Sequence, residues 1–120
     1  MSKGEGCPRG NALVYDDNGL VALDTRETLL ELGFVRVTIA ACGDDAVASL
    51  RNSGLHWAVI DAGCSARDLA AVIAALDAAG VPFVLVCSSP DGSDIPEQWK
   101  GRTYLARPYG KADLERLAPR

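Results

Sequence analysis

Histidine is almost missing from this chain: His56 is the only one in 120 residues. A histidine-built metal centre cannot be assembled from it. His56 also falls before the third apolar run, which argues against a serine triad and leaves it as a strand-edge residue. Cysteine is sparse as well. Cys7, Cys42, Cys64 and Cys87 form no C-x-x-C pair and match no zinc spacing, and the first three read as small apolar fillers. No apolar run approaches the ~20 residues of a membrane-spanning helix. The first eleven residues lack the apolar stretch of a secretory leader, so a reduced, cytoplasmic protein is expected. Cations are outnumbered, 12 Lys and Arg against 16 Asp and Glu, for a net charge of −4. That lacks the basic footprint of a nucleic-acid or anionic-membrane partner. Three phosphate or nucleophile signatures are also missing: G-x-G-x-x-G, G-x-x-x-x-G-K-[ST] and G-x-S-x-G. The Asp17-Asn18-Gly19 turn lacks the hydroxyls a flavin phosphate requires.

What is present is a steady alternation of strand-like and helix-like segments. Residues 1–11 read as a loose tail and residues 12–118 as one domain. Ala12–Tyr15, Trp57–Ile60 and Pro82–Val86 are apolar runs, as strands covered on both faces are. Phe34–Ala41 alternates as a half-exposed strand, and Thr103–Ala106 gives a fifth. Between them the pattern predicts helices over Leu20–Leu32, with Leu20, Leu23 and Leu30 as its apolar face, and over a stretch capped by Asp44 or Asp45 with Ala46, Val47 and Leu50 inward. Ser53-Gly54 closes that stretch. Arg67–Ala79 is the clearest helix, with Leu69, Val72, Ile73 and Leu76 at i, i+3, i+4 and i+7. A last helix begins near Lys111 and uses Leu114 and Leu117. Ser89–Arg102 is polar, contains two prolines and has room for a short helix at most. Glycines 33, 54 and 80 sit where helices end in a left-handed residue. The rhythm is (βα)₅, an α/β fold with a parallel sheet between two helical layers. Trp57 and Trp99 read as packing or surface aromatics.

Open parallel sheets bind ligands at the carboxyl ends of their strands. This sequence ends its strands there in Asp16-Asp17, Asp61, Cys87-Ser88 and Arg107-Pro108. Asp17 alone reads as a helix N-cap, Asp61 alone as a cap or turn residue, and Arg107 alone as a solvated charge. Together they describe a site. Three converging carboxylates repel one another and need a cation, and Mg²⁺ with oxygen ligands suits them. Arg107 adds a fixed charge able to grip a phosphate, and Pro108 after it fits a tight, cis connection.

The stretches ALVYDDNGLVALDTRETLLELGF, WAVID, GVPFVLVCSS and YLARPYGKADL resemble the receiver domain of two-component response regulators, over Ala12 to Leu117. The segment VPFVLVCSSPDGSDIPEQWKGRTYLARPY is similar to single-domain regulators of alphaproteobacteria, whose fourth helix is short or irregular. The resemblance implies a flavodoxin-like fold with strand order 2-1-3-4-5. It implies Asp61 as phospho-acceptor, Asp16 and Asp17 as the metal-binding pair, the Gly63 carbonyl as a further Mg²⁺ ligand and Tyr104 as the aromatic switch. The implied partners are a histidine kinase or phosphotransfer protein, a downstream protein target and, through the last helices and strands, a second copy. A signalling module rather than an enzyme is expected. Two positions depart from the pattern. Cys87 stands at the family's switch hydroxyl, with Ser88 beside it, and Arg107 stands at its lysine. A thiol donates hydrogen bonds weakly, and Arg is longer and planar. Three functions follow: a stand-alone phospho-acceptor, a receiver-like adaptor without a phosphorylation switch, and a redox sensor using Cys87 with Arg107 as the thiolate's counter-ion.

Overall fold

The computed structural model describes residues 9–52 and 54–119. The elements run β1 Asn11–Tyr15, α1 Gly19–Glu31, β2 Arg36–Ala40, α2 Gly43–Asn52, β3 Leu55–Asp61, α3 Ala66–Ala79, β4 Phe83–Cys87, β5 Tyr104–Ala106 and α4 Lys111–Leu117. All strand pairs are parallel, in the order β2-β1-β3-β4-β5. This is the expected flavodoxin-like arrangement. β1 and β3 are neighbours, with Tyr15 level with Ile60, and that adjacency brings the Asp16-Asp17 pair beside Asp61.

Alternation along the central strands divides the core in two. Leu13 and Tyr15, Ala58 and Ile60, and Leu85 and Cys87 face one side, where Leu69, Val72, Ile73 and Leu76 of α3 cover them with Ala46 of α2. Ala12 and Val14, Trp57 and Val59, and Val84 and Val86 face the other, under Ala22 and Leu29 of α1 and Leu114 of α4. Each large side chain so buried contributes ~1.5–3 kcal/mol against leaving it in water.

The spacing expected for α3 is found, and Gly80 ends that helix at φ 71°. Ser53, expected to close α2 with Gly54, lies outside the described residues. The face expected for α1 is corrected. Leu20, Leu23 and Leu30 are 81, 48 and 38 % exposed, whereas Ala22, Thr25 and Leu29 are buried. β2 is shorter than expected, because Phe34 leaves the strand line to stack on Trp57, ring centroids 5.9 Å apart. Most of the expected N-terminal tail, Cys7 included, lies outside the described residues. Its last residues are tied down: Arg9 donates its amide to the Gly33 carbonyl at 3.0 Å and its Nε to the Leu32 carbonyl at 2.7 Å, and β1 begins at Asn11.

Between β4 and β5 a single 3-10 turn, Glu97–Trp99, replaces a helix. Ile95 and Trp99 drop from this segment into the α3-side core, supplying the apolar cover a helix face would otherwise provide. Among the described residues no helix is long and apolar enough to cross a membrane.

Candidate functional site

β1 delivers Asp16 and Asp17 to the carboxyl edge of the sheet. The N-cap of α1 is Asn18, whose Oδ1 accepts the amides of Leu20 at 3.1 Å and Val21 at 3.2 Å. This relieves Asp17 of the capping role that its position alone suggested, and its carboxylate stays exposed. Asp16 turns inward and is buried. Its Oδ1 accepts the Asn18 amide at 2.8 Å, so the turn that starts α1 also fixes the first acid.

Asp61 closes β3 and is 8 % exposed. Its Oδ1 accepts the amide of Gly63 at 2.9 Å. The short turn brings Cys64 back to the same carboxylate, Sγ to Oδ2 at 3.9 Å. One ligand atom each from Asp17, Asp61 and Cys64 lies within 4.8 Å of the others.

Arg107 follows β5. Its amide donates to the Cys87 carbonyl at 2.9 Å, and the Arg107-Pro108 peptide bond is cis. From there the guanidinium spans two acids: Nη2 reaches Asp16 Oδ2 at 3.1 Å and Nη1 reaches Asp61 Oδ1 at 3.5 Å. The loop is pinned to α1 by a 2.8 Å hydrogen bond between the Tyr109 and Thr25 hydroxyls.

Burial is the leading cause that raises the Asp16 pKa above the ordinary carboxylate value. The Asn18 amide opposes the shift, Asp61 adds to it and Arg107 counters it. Burial also pushes the Cys64 thiol up to about 11, against a hydrogen bond from Tyr15 and with the help of Asp61 and Asp17. Sulfur is a soft ligand that a hard divalent cation does not favour. The remaining donors are carboxylate oxygens, a set that fits a hard divalent cation.

The switch residues behave differently. Cys87 is buried in the α3-side core, and its thiol donates to the Ser89 carbonyl at 3.3 Å. Burial raises its pKa, with Asp94 adding to the shift and Arg107 opposing it. This disfavours the thiolate a redox sensor needs. Ser88 follows the end of β4 and is exposed. The Ser88 and Ser89 amides both donate to Asp94, at 2.8 and 3.2 Å. Tyr104 stands away from the acids, 39 % exposed, with its hydroxyl donating to the Pro90 carbonyl at 3.4 Å.

The structure therefore gathers Asp16, Asp17, Asp61, Gly63 and Arg107 at one edge. Cys87 borders them through the Arg107 amide on its carbonyl, with its thiol in the α3-side core, and Tyr104 packs by the Pro90 end of the β4–β5 segment. Sequence reasoning missed Asn18, Cys64, Asp94 and the Thr25–Tyr109 pair. Only Asn18 carried a legible signal, since an asparagine just before a helical pattern is a favoured N-cap. A groove of about 390 Å³ between α1 and the Arg107–Gly110 loop opens beside the site. A larger depression of about 600 Å³, lined by Asp77, Phe83 and Arg102, lies at the opposite edge and contains none of the clustered acids.

No protein-family model matches the chain, and no curated protein does. Solved structures do match. One is the receiver domain of a sensor histidine kinase from Pseudomonas aeruginosa, with a magnesium ion coordinated in its active-site cleft. It is 24 % identical with a TM-score of 0.74, over 89 % of this chain and 92 % of that one. A second is the receiver domain of a modulated diguanylate cyclase from Desulfovibrio desulfuricans, 26 % identical with a TM-score of 0.74, over 88 % and 87 % of the two chains. A third is the beryllofluoride-activated form of SdrG from Pseudomonas melonis, 20 % identical with a TM-score of 0.75, over 93 % and 94 %.

Proposed function

Starting from a CheY-like receiver fold with an acid cluster and a guanidinium at its carboxyl edge, we propose that residues 12–118 form a phospho-acceptor in two-component signalling. Asp61 takes the phosphoryl group from a histidine kinase or phosphotransfer protein, and the phosphorylated domain signals through protein contact. The observation that carries this reading is the convergence of Asp16, Asp17 and Arg107 on Asp61. An Asp61 carboxylate oxygen attacks phosphorus in line. The phosphorus–nitrogen bond of the donor breaks, and the imidazole nitrogen keeps its electron pair. Gly63 orients Asp61 through its amide, and Arg107 neutralises charge on the phosphoryl oxygens. Asp16, Asp17, Asp61 and the Gly63 carbonyl would hold Mg²⁺, which when bound offsets the negative charge of the transferring group.

The donor's approach is supported by α1. Leu20 and Leu23 are exposed, and Leu20 lines the groove that reaches Arg107 and Tyr109. An apolar rim beside an acidic site suits an amphipathic helix carrying the phosphohistidine. Phosphoramidate with Mg²⁺ is the test. One added phosphoryl mass is expected on the wild type and none on Asp61→Asn. Equal labelling of the two would sink the assignment.

The Cys87 thiol, bonded to Ser89 within the core, favours a second reading. The domain would then be an adaptor whose contacts do not depend on phosphorylation. In that case Asp61→Asn binds the partner at wild-type strength with or without the phosphodonor.

A further inference from the structure

The acid edge carries a sulfur that the phosphoryl chemistry leaves unused. One ligand atom each from Asp17, Asp61 and Cys64 lies within 4.8 Å of the others. Sγ of Cys64 stands 3.9 Å from Asp61 Oδ2, the oxygen that the Gly63 amide does not hold. The same sulfur accepts hydrogen bonds from the Tyr15 hydroxyl and the Asp17 amide. Tyr15 is fully buried in the α3-side core, so its hydroxyl comes to the sulfur from a fixed position. Donors placed around a sulfur in this way orient it and offset negative charge on it, as outer-shell partners of a metal ligand do. Cys64 is half-buried and Asp17 exposed, so an ion reaches the group from solvent.

We propose that Cys64 sets the metal preference of this edge: a thiophilic divalent cation, Zn²⁺ or Cd²⁺, is held by Asp17, Asp61 and Cys64 and opposes phosphorylation, whereas Mg²⁺ uses oxygens alone. The inference rests on the phospho-acceptor reading for its consequence, not for the binding. Soft sulfur ligands favour ions of the zinc type, while carboxylate and carbonyl oxygens suit magnesium. On ligation Sγ exchanges its proton for the metal, and the proton leaves to solvent. The charges then differ. Asp17 and Asp61 with Mg²⁺ sum to zero, but the same pair with a thiolate and Zn²⁺ keeps one negative charge. An anionic phosphoryl donor is repelled by the second arrangement and not by the first. The soft ion also draws Asp61 toward the sulfur and away from the donor.

The test is titration of the full chain with Cd²⁺, read by the ultraviolet sulfur-to-cadmium charge-transfer band, with Cd²⁺ and Mg²⁺ affinities from calorimetry. Wild type is expected to show the band at one equivalent, and Cys64→Ser to lose it. The ratio of Cd²⁺ to Mg²⁺ affinity falls about tenfold or more in Cys64→Ser, since even an outer-shell partner of a metal is worth that much. Asp17→Asn, a change at an exposed side chain that keeps the sulfur, is expected to weaken Cd²⁺ binding. Cys42→Ser keeps the band. With phosphoramidate and Mg²⁺ present, added Cd²⁺ lowers the labelling of wild type more than that of Cys64→Ser. A band that survives Cys64→Ser, no band in wild type, an unchanged affinity ratio, or labelling that Cd²⁺ leaves untouched overturns the inference. Absence of phosphoryl mass on Asp61 with Mg²⁺ alone, the cadmium band intact, overturns the phospho-acceptor reading instead.

Discussion

At the scale of single residues, the site divides into side chains placed by periodicity and side chains placed by turns. Asp16, Asp17 and Asp61 were readable because each ends an apolar run, and a parallel sheet brings such ends together. Cys64 was not, because its place beside Asp61 depends on the turn through Gly63. Asp94 was not, because it acts from an irregular segment on the amides of Ser88 and Ser89. Those hydrogen bonds, the Ser88 amide first, lower its pKa below the ordinary 3.8. The sign follows directly. The contribution of the clamp is complete above pH 3.8 and is lost as pH falls through the lowered value. In an NMR titration the Ser88 amide resonance should therefore move with a midpoint below that pH, and in Asp94→Asn it should not follow the same titration. A Ser88 midpoint at or above the ordinary aspartate value contradicts the clamp.

At the scale of elements, α1 separates what fold and function ask of one helix. Its sequence offers leucines at two sets of positions, and periodicity alone does not say which set faces the sheet. Ala22, Thr25 and Leu29 do, because the small Ala22 allows close approach and Thr25 has a partner in Tyr109. Leu20, Leu23 and Leu30 are left outside. Two substitutions should thus behave in opposite ways. Leu29→Ala opens a void in the core and is expected to cost ~2–5 kcal/mol of stability. Leu20→Ser should change stability by about 0.5 kcal/mol or less while slowing phosphotransfer from a histidine kinase severalfold. Denaturant melts and phosphotransfer rates measured on both variants check the pair. Loss of stability in Leu20→Ser, or an unchanged transfer rate, removes the docking role of this face. The 3-10 turn between β4 and β5 was foreshadowed by the prolines and polarity of 89–102, but the inward turn of Ile95 and Trp99 was not. Isolated apolar residues in a polar stretch give no period from which to infer a face.

At the scale of the whole molecule, the topology was the most legible feature. Alternating strands and helices dictate parallel pairing, and parallel pairing dictates which edge collects the strand ends. The chain that results carries its apolar core on two faces of one sheet and brings Asp16, Asp17 and Asp61 to one edge. The rotameric choices at that edge were beyond sequence reasoning: Arg107 bridging two acids, and Cys87 turned into the core. The central claim is that the fold exists to present Asp61 for phosphorylation. The most direct measurement is to treat the chain with phosphoramidate and Mg²⁺, reduce the acyl phosphate with borohydride and map the product by peptide mass spectrometry. The account predicts homoserine at position 61 and unmodified Asp16 and Asp17. Homoserine at another aspartate, or none at all in a folded, metal-loaded sample, would contradict it.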